Sequence, residues 1–224
     1  MMNVKLISYS QPAVDIEISN DLLQLVAFSA RVSNPENQYN QETAEKLVKY
    51  LIKNQHWSPL EMVNVCLEIE TTRDIARQIL RHRSFSFQEF SQRYADPTND
   101  LKFTTREARL QDKKNRQNSI ELDSDDPINY VWESYQETII ERCKTAYNWA
   151  IEAGIAKEQA RVVLPEGNTK SRLYVQGTIR SFIHYIELRS SNGTQKEHIE
   201  LAREVAKAIT KIFPMIDDYC DYGE

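Results

Sequence analysis

The stretch MVNVCLEIETTRDIARQILRHRSFSFQEFSQRY, residues 62–94, carries two periodicities in succession. Val63, Val65, Leu67 and Ile69 alternate with other residues, the period-two signature of a strand with one buried face. At Thr71 or Thr72, either of which can cap a helix, the spacing changes, and Ile75, Ala76, Ile79 and Leu80 fall on one side of a helix. On that helix Arg73, Arg77 and Arg81 stand four apart and share a face, with Gln78 three before Arg81. Residues 81–94 then crowd arginines, a histidine, hydroxyls, amides and Glu89 among Phe85, Phe87, Phe90 and Tyr94. A planar guanidinium suits phosphate, and an amide suits the edge of a base. The segment therefore reads as a holder of a nucleotide. A solvated charged face is the competing reading, but such a face has no need of four aromatics.

Working outward, Val4–Tyr9 reads as a first strand, 21–33 as a helix and 41–54 as a second helix, with a break at Pro59. Residues 83–118 are mostly polar, with strand-like pieces at 93–96 and 101–104 and an exposed loop at 113–119. The longest helix is predicted from Pro127 to about Gly154, its inner face marked by Trp132, Tyr135, Ile139, Cys143, Ala146, Tyr147 and Ala150. A short helix at 157–164, an extended piece at 172–178 and helices at 181–188 and 194–212 complete the chain. The fold class is α+β, helix-rich, in one domain over 1–224 with no repeat and no clear boundary.

The formal net charge of −5 argues against a broad, sequence-independent nucleic-acid surface but leaves room for a small anion held by a few arginines. Cys66, Cys143 and Cys220 show no CxxC spacing and read as reduced thiols, and no run approaches a membrane span, so a cytoplasmic protein is expected. His56, His82, His184 and His198 form no HxH, HxxxH or HExxH pair, so no metal site is expected. Rossmann, P-loop and hydrolase-elbow motifs are absent. Arg161 sits among apolar residues, where it either snorkels or reaches an anion. Arg180 and His184 share a helix face, and Arg189 lies beyond that helix's end.

Arg81-His82-Arg83, seven residues, then Ser91, Arg93 and Tyr94 resemble the signature of the flavin-dependent thymidylate synthases. HWSPLE (56–61), EQARVVLP (158–165) and IRSFIHYIELR (179–189) resemble further segments of that family in the same order, and SFSFQEFSQRY with ELRSSNGTQKEH resembles its viral and phage form. The resemblance implies a homotetramer with a mainly antiparallel sheet and sites shared between subunits. It implies conversion of dUMP to dTMP, with 5,10-methylenetetrahydrofolate as carbon donor, FAD as the hydride-bearing cofactor and NADPH restoring it. It places Arg189 against the pyrimidine as the catalytic residue, stabilising the N3-deprotonated base. FAD falls to Ser58, Arg81, His82, Arg83, Glu89, Thr178, Ile179, Arg180 and His184. For dUMP the match gives Gln78, Ile79, Leu80, Arg81, Glu89, Phe90, Ser91, Gln92, Arg93, Arg161 and Arg189, with Arg161 coming from another subunit. His56 falls near the flavin and folate cleft. The chain departs from the family at Gln88, often asparagine, at Gln92, often small, and at Gly193, near which many relatives carry a histidine; His184 stands where an amide is common. An arginine-aromatic patch for single-stranded nucleic acid, a catalytically silent relative and a cysteine-dependent synthase are the competing readings, and no cysteine here has the setting of a nucleophile.

Overall fold

A computed structural model describes residues 2–223. Strand β1 (Asn3–Tyr9) leads to helices α1 (Leu22–Ala30) and α2 (Ala44–Lys53), then to strand β2 (Asn64–Thr72) and helix α3 (Arg73–Ile79). Strand β3 (Ser86–Glu89), the short helix α4 (Pro97–Asp100) and the hairpin strands β4 (Arg109–Gln111) and β5 (Ser119–Glu121) follow. Helix α5 (Pro127–Glu152), helix α6 (Lys157–Ala160), strand β6 (Lys170–Thr178), helix α7 (Ile179–Ser190) and helix α8 (Lys196–Thr210) complete the order. The main sheet runs β1-β2-β6-β3 and every neighbour is antiparallel. Among the described residues no helix is long and apolar enough to cross a membrane.

Alternation decides which face of the sheet is buried. Val65, Leu67 and Ile69 of β2 and Leu173 and Val175 of β6 enter the core with α1, α2, α7 and α8. The opposite face pairs polar groups across the strands: both Nε and Nη2 of Arg172 donate to Glu70, at 2.8 and 2.6 Å, and Tyr174 donates to Glu68 at 2.8 Å.

The two central strands also act as a ruler. β2 and β6 are nine residues each and pair from Asn64↔Thr178 to Thr72↔Lys170, a length of about 30 Å. β2 passes directly into α3 at one end, and β6 passes directly into α7 at the other. The helices have seven and twelve residues, together about 28 Å. Starting from opposite ends, they bring their C-terminal ends together.

Several expectations need correction. Residues 93–96 form a turn, not a strand, because Tyr94 and Ala95 both donate back to the Ser91 carbonyl. In 101–104 only an isolated bridge, Phe103↔Thr169, is strand-like. β3 and the β4–β5 hairpin are too short and polar to show a period. On α5 the inner face is Gln136, Ile140, Tyr147 and Ala150, while Trp132, Tyr135 and Ile139 are exposed. Gln136 takes an inward place because its amide grips the Arg106 backbone in both directions, accepting from its N–H at 2.9 Å and donating to its carbonyl at 2.8 Å.

Candidate active site

Where α3 and α7 converge, Nε of Arg189 donates to Nε2 of His82 at 2.9 Å. Burial, with the Arg189 and Arg81 charges beside it, pushes His82 down to about 4, so it is a neutral acceptor. Its ring meets Tyr185 edge-on at 5.0 Å. Phe85, from the loop after α3, packs on Phe182 at 4.7 Å and on Tyr185 at 5.8 Å. The loop reaches this depth because residue 177 is glycine, and a Cβ there would collide with the Phe85 ring. Phe85 thus anchors the RHR turn to α7.

Behind Arg189 lies a second group. His198 is fully buried and bridges the Tyr185 hydroxyl and the Gln78 Oε1, each at 3.1 Å. Burial first, then the Arg189 charge, push it down to about 3. Nε2 of Gln78 donates to Oε1 of Gln195 at 2.8 Å, Nε2 of Gln195 to Glu197 at 2.8 Å, and Arg109 to the other Glu197 oxygen at 2.6 Å.

The other side of α3 is built differently. A cavity of about 420 Å3 is walled by Arg73, Arg77, Gln92, Glu158, Arg161 and Glu166. Arg93 pairs with Glu158 at 3.0 Å and Lys157 donates to the Tyr94 carbonyl at 3.0 Å, which ties the 89–94 loop to α6 and brings Gln92 beside Arg161. Arg73 is buried and lies 3.5 Å from Glu89, whose Oε1 also accepts from Ser171 at 2.8 Å. Burial lowers the Arg73 pKa, and the Arg77 and Arg161 charges add to it against Glu89 and Glu166. Gln92 is buried and its Nε2 has no partner among the described residues.

A third group lines the start of α7. Arg180 pairs with Glu61 and lies 6.0 Å from the Trp57 ring, and Trp57 meets His184 at 4.5 Å. Ser58 opens the adjoining 3-10 turn, and Thr178 caps α7, its Oγ1 accepting from the Ser181 N–H at 3.2 Å. His56 is exposed and packs on Tyr50 at 6.0 Å. A larger cleft of about 870 Å3 between the β4–β5 hairpin and α8 is lined by Arg109, paired with Glu107 and Glu197, by Lys196, paired with Glu107 and Glu121, and by Arg116 and Arg203.

The family described as "Thymidylate synthase complementing protein" matches residues 16–215. The chain is 49% identical over 221 residues to a probable flavin-dependent thymidylate synthase of Paramecium bursaria Chlorella virus 1, covering 99% of this chain and all of that one. The chain belongs to the flavin-dependent thymidylate synthase family. A second member, from Synechocystis, is 46% identical over 218 residues, covering 96% of this chain and 97% of its own. In fold, the chain is similar to a UMP/dUMP methylase from Streptomyces cacaoi solved with 5-bromo-dUMP, at a TM-score of 0.77 and 24% identity over 98% of this chain and 94% of that one.

Set against the family signature, the structure divides the residues assigned to dUMP. Gln78 and Arg189 stand with His82 on one side of α3, while Glu89, Gln92 and Arg161 stand with Arg73 on the other. Ile79 and Ile179 bury their side chains in the core, which leaves their backbones as the parts open to a ligand. Leu80 and Phe90 are half-buried, Arg81 and Arg83 are exposed, and Ser91 Oγ accepts from the Arg93 N–H at 3.3 Å. Sequence reasoning missed Arg73 as a buried cation, and Tyr185, Gln195, Glu197 and His198 as partners of the signature. For Arg73 the signal was its place on the Arg77–Arg81 face; for the other four, scattered over α7 and α8, there was none.

Proposed function

We propose that this chain methylates dUMP to dTMP, with 5,10-methylenetetrahydrofolate as carbon donor. The observation that carries the reading is the Arg189–His82 contact, which joins the RHR signature to the arginine matched to catalysis. A neutral imidazole holds a permanent cation by one N–H, leaving the rest of the guanidinium free to face a pyrimidine. Beside the ring, that charge stabilises the N3-deprotonated base and enriches C5 in electrons, so C5 attacks the methylene carbon without a cysteine at C6. Burial raises the pKa of all three cysteines, the opposite of an activated thiolate. Overall, dUMP, the methylene donor and two reducing equivalents give dTMP and tetrahydrofolate.

The residues present suit FAD. Arg81 and Arg83 offer exposed cations for a diphosphate, Ser58 and Thr178 offer hydroxyls, and Trp57, His184 and Arg180 form an aromatic-cationic ledge for a ring. When bound, reduced FAD supplies the hydride, and NADPH restores it. In dUMP recognition, Arg161, Gln92 and the 89–93 loop take the phosphate end, and Gln78 and Arg189 the base.

The division of those residues across α3 supports a site completed by a second copy, in one domain that assembles as a homotetramer. Exposed Val131, Trp132, Tyr135, Ile139 and Trp149 give α5 an apolar stripe for that assembly.

The test is an absorption spectrum of the protein reconstituted with FAD and titrated with dUMP, followed by tritium release from [5-3H]-dUMP with the methylene donor and NADPH. Flavin bands that shift with dUMP, and tritium release dependent on all components, are expected. A colourless protein after reconstitution, binding single strands in a salt-sensitive way, would overturn the reading in favour of a nucleic-acid module.

A further inference from the structure

From Glu197 to Tyr185, each side chain is in hydrogen-bond contact with the next, and one end has no choice of role. The Glu197 carboxylate only accepts. Burial opposes its charge, but its own backbone N–H, the Gln195 amide and the Arg109 charge overcome that and hold its pKa below the usual range. It is therefore ionised, and Gln195 must turn its NH2 toward it. The Gln195 carbonyl is then directed at Gln78, which must answer with its own NH2. That leaves the Gln78 carbonyl facing Nδ1 of His198, so Nδ1 carries the proton. A neutral imidazole has one N–H, so Nε2 is a bare acceptor and the Tyr185 hydroxyl must donate to it.

We infer that Glu197, acting through Gln195, and His198, acting from the other side, are positioning residues that fix the amide of Gln78 as a hydrogen-bond donor toward the substrate. A free glutamine amide rotates at little cost and offers either a carbonyl or an N–H. The flanking groups of uracil are carbonyls, which an N–H satisfies and another carbonyl repels. With one amide hydrogen on Gln195, the second hydrogen of Gln78 has no partner among the described residues and is the one left for the base. Arg109 anchors the acidic end through a 2.6 Å contact, so the polarity is set at the β4–β5 hairpin, away from the reacting atoms.

The inference rests on Gln78 as a dUMP contact, but its first test needs no ligand. In 15N-histidine-labelled protein at neutral pH, His198 is expected to show a protonated Nδ1 and a bare Nε2 by NMR. The opposite tautomer overturns the relay. Glu197→Gln replaces the fixed acceptor with a group that serves in either direction. It should mix the two tautomers and raise the dUMP Kd about tenfold, one good hydrogen bond's worth, with FAD affinity unchanged. In a Gln78→Met background the same substitution should add nothing. An additive loss, or unchanged dUMP affinity in E197Q, would show a merely structural role. If E197Q does not fold, Gln195→Met cuts the relay one step closer with the same expected result. If the unmodified protein binds FAD but no dUMP, the functional reading fails, and the tautomer still decides the relay.

Discussion

The two sides of α3 solve opposite problems. On the side of His82, Gln78 and Arg189, the polar groups are held by protein partners, in an unbroken set of contacts from Arg189 to His82 and from Tyr185 to Glu197. On the side of Arg73, Arg77 and Arg161, Arg73 and Arg77 share the Glu166 carboxylate at 3.9 and 3.4 Å, and beside them lie Arg161 and a buried amide that has no partner among the described residues. The first side is complete before a ligand arrives and presents fixed groups. The second leaves Arg161 and the Gln92 amide as groups that an anion can still engage. Orientation of a base needs the first kind of construction, and capture of a phosphate needs the second.

The largest expected effect breaks the complete side. Arg189→Ala should lower turnover ~100- to 1000-fold, the range for losing a preorganised charge-stabilising group, and should also lower the thermal midpoint by orphaning His82. Retained tritium release would remove Arg189 from the chemistry. Arg161→Ala should behave in the opposite way toward stability. It relieves repulsion, so the midpoint of the ligand-free protein should hold or rise, while dUMP binding weakens ~10- to 100-fold, as for a lost charged hydrogen bond. A fall in the ligand-free midpoint would show that Arg161 contributes to the fold instead of repelling Arg73. Gly177→Ala tests the anchor between the regions: the new methyl displaces Phe85, at about 1–3 kcal/mol by denaturant unfolding, with FAD and dUMP affinities falling together. Unchanged affinities would separate Phe85 from the site.

A further effect, spread over two rings, is in pH. His82 and His198 are held at about 4 and about 3, below the free value of 6.5. The unfolded chain therefore takes up protons that the folded chain refuses as pH falls. Stability is full above pH 6.5 and declines below it, down to about pH 4 for His82 and about pH 3 for His198. By pH 5 His198 alone should cost on the order of 2 kcal/mol, and half-buried His82 less. Urea midpoints that do not change between pH 7 and pH 5 would show that these rings are not buried neutral.

What the sequence made legible follows from periodicity and spacing. The alternation of Val63 to Ile69 and the helical spacing of Ile75 to Leu80 located β2 and α3 because both elements bury one face in one core. RHR with Ser91 pointed to the candidate site because one short segment carries several groups suited to a ligand. His198, Gln195 and Glu197 stayed hidden because a hydrogen-bonded relay across α3, α7 and α8 leaves no pattern in any one of them. Trp132, Tyr135 and Ile139 were read as core because periodicity detects an apolar face without saying what covers it. β3 and the hairpin were missed because three or four polar residues show no period.

The absence of any residue between β2 and α3, or between β6 and α7, limits how such a chain can lengthen. One residue inserted at either junction would turn its helix by about 100° and advance it by about 1.5 Å, swinging Arg189 or His82 off its partner. The hairpin tip at 112–118, whose strands β4 and β5 pair with each other and not with the main sheet, carries no such geometry. Length variation among descendants of this chain is thus channelled to the tip, while both junctions keep their residue count even as their side chains change.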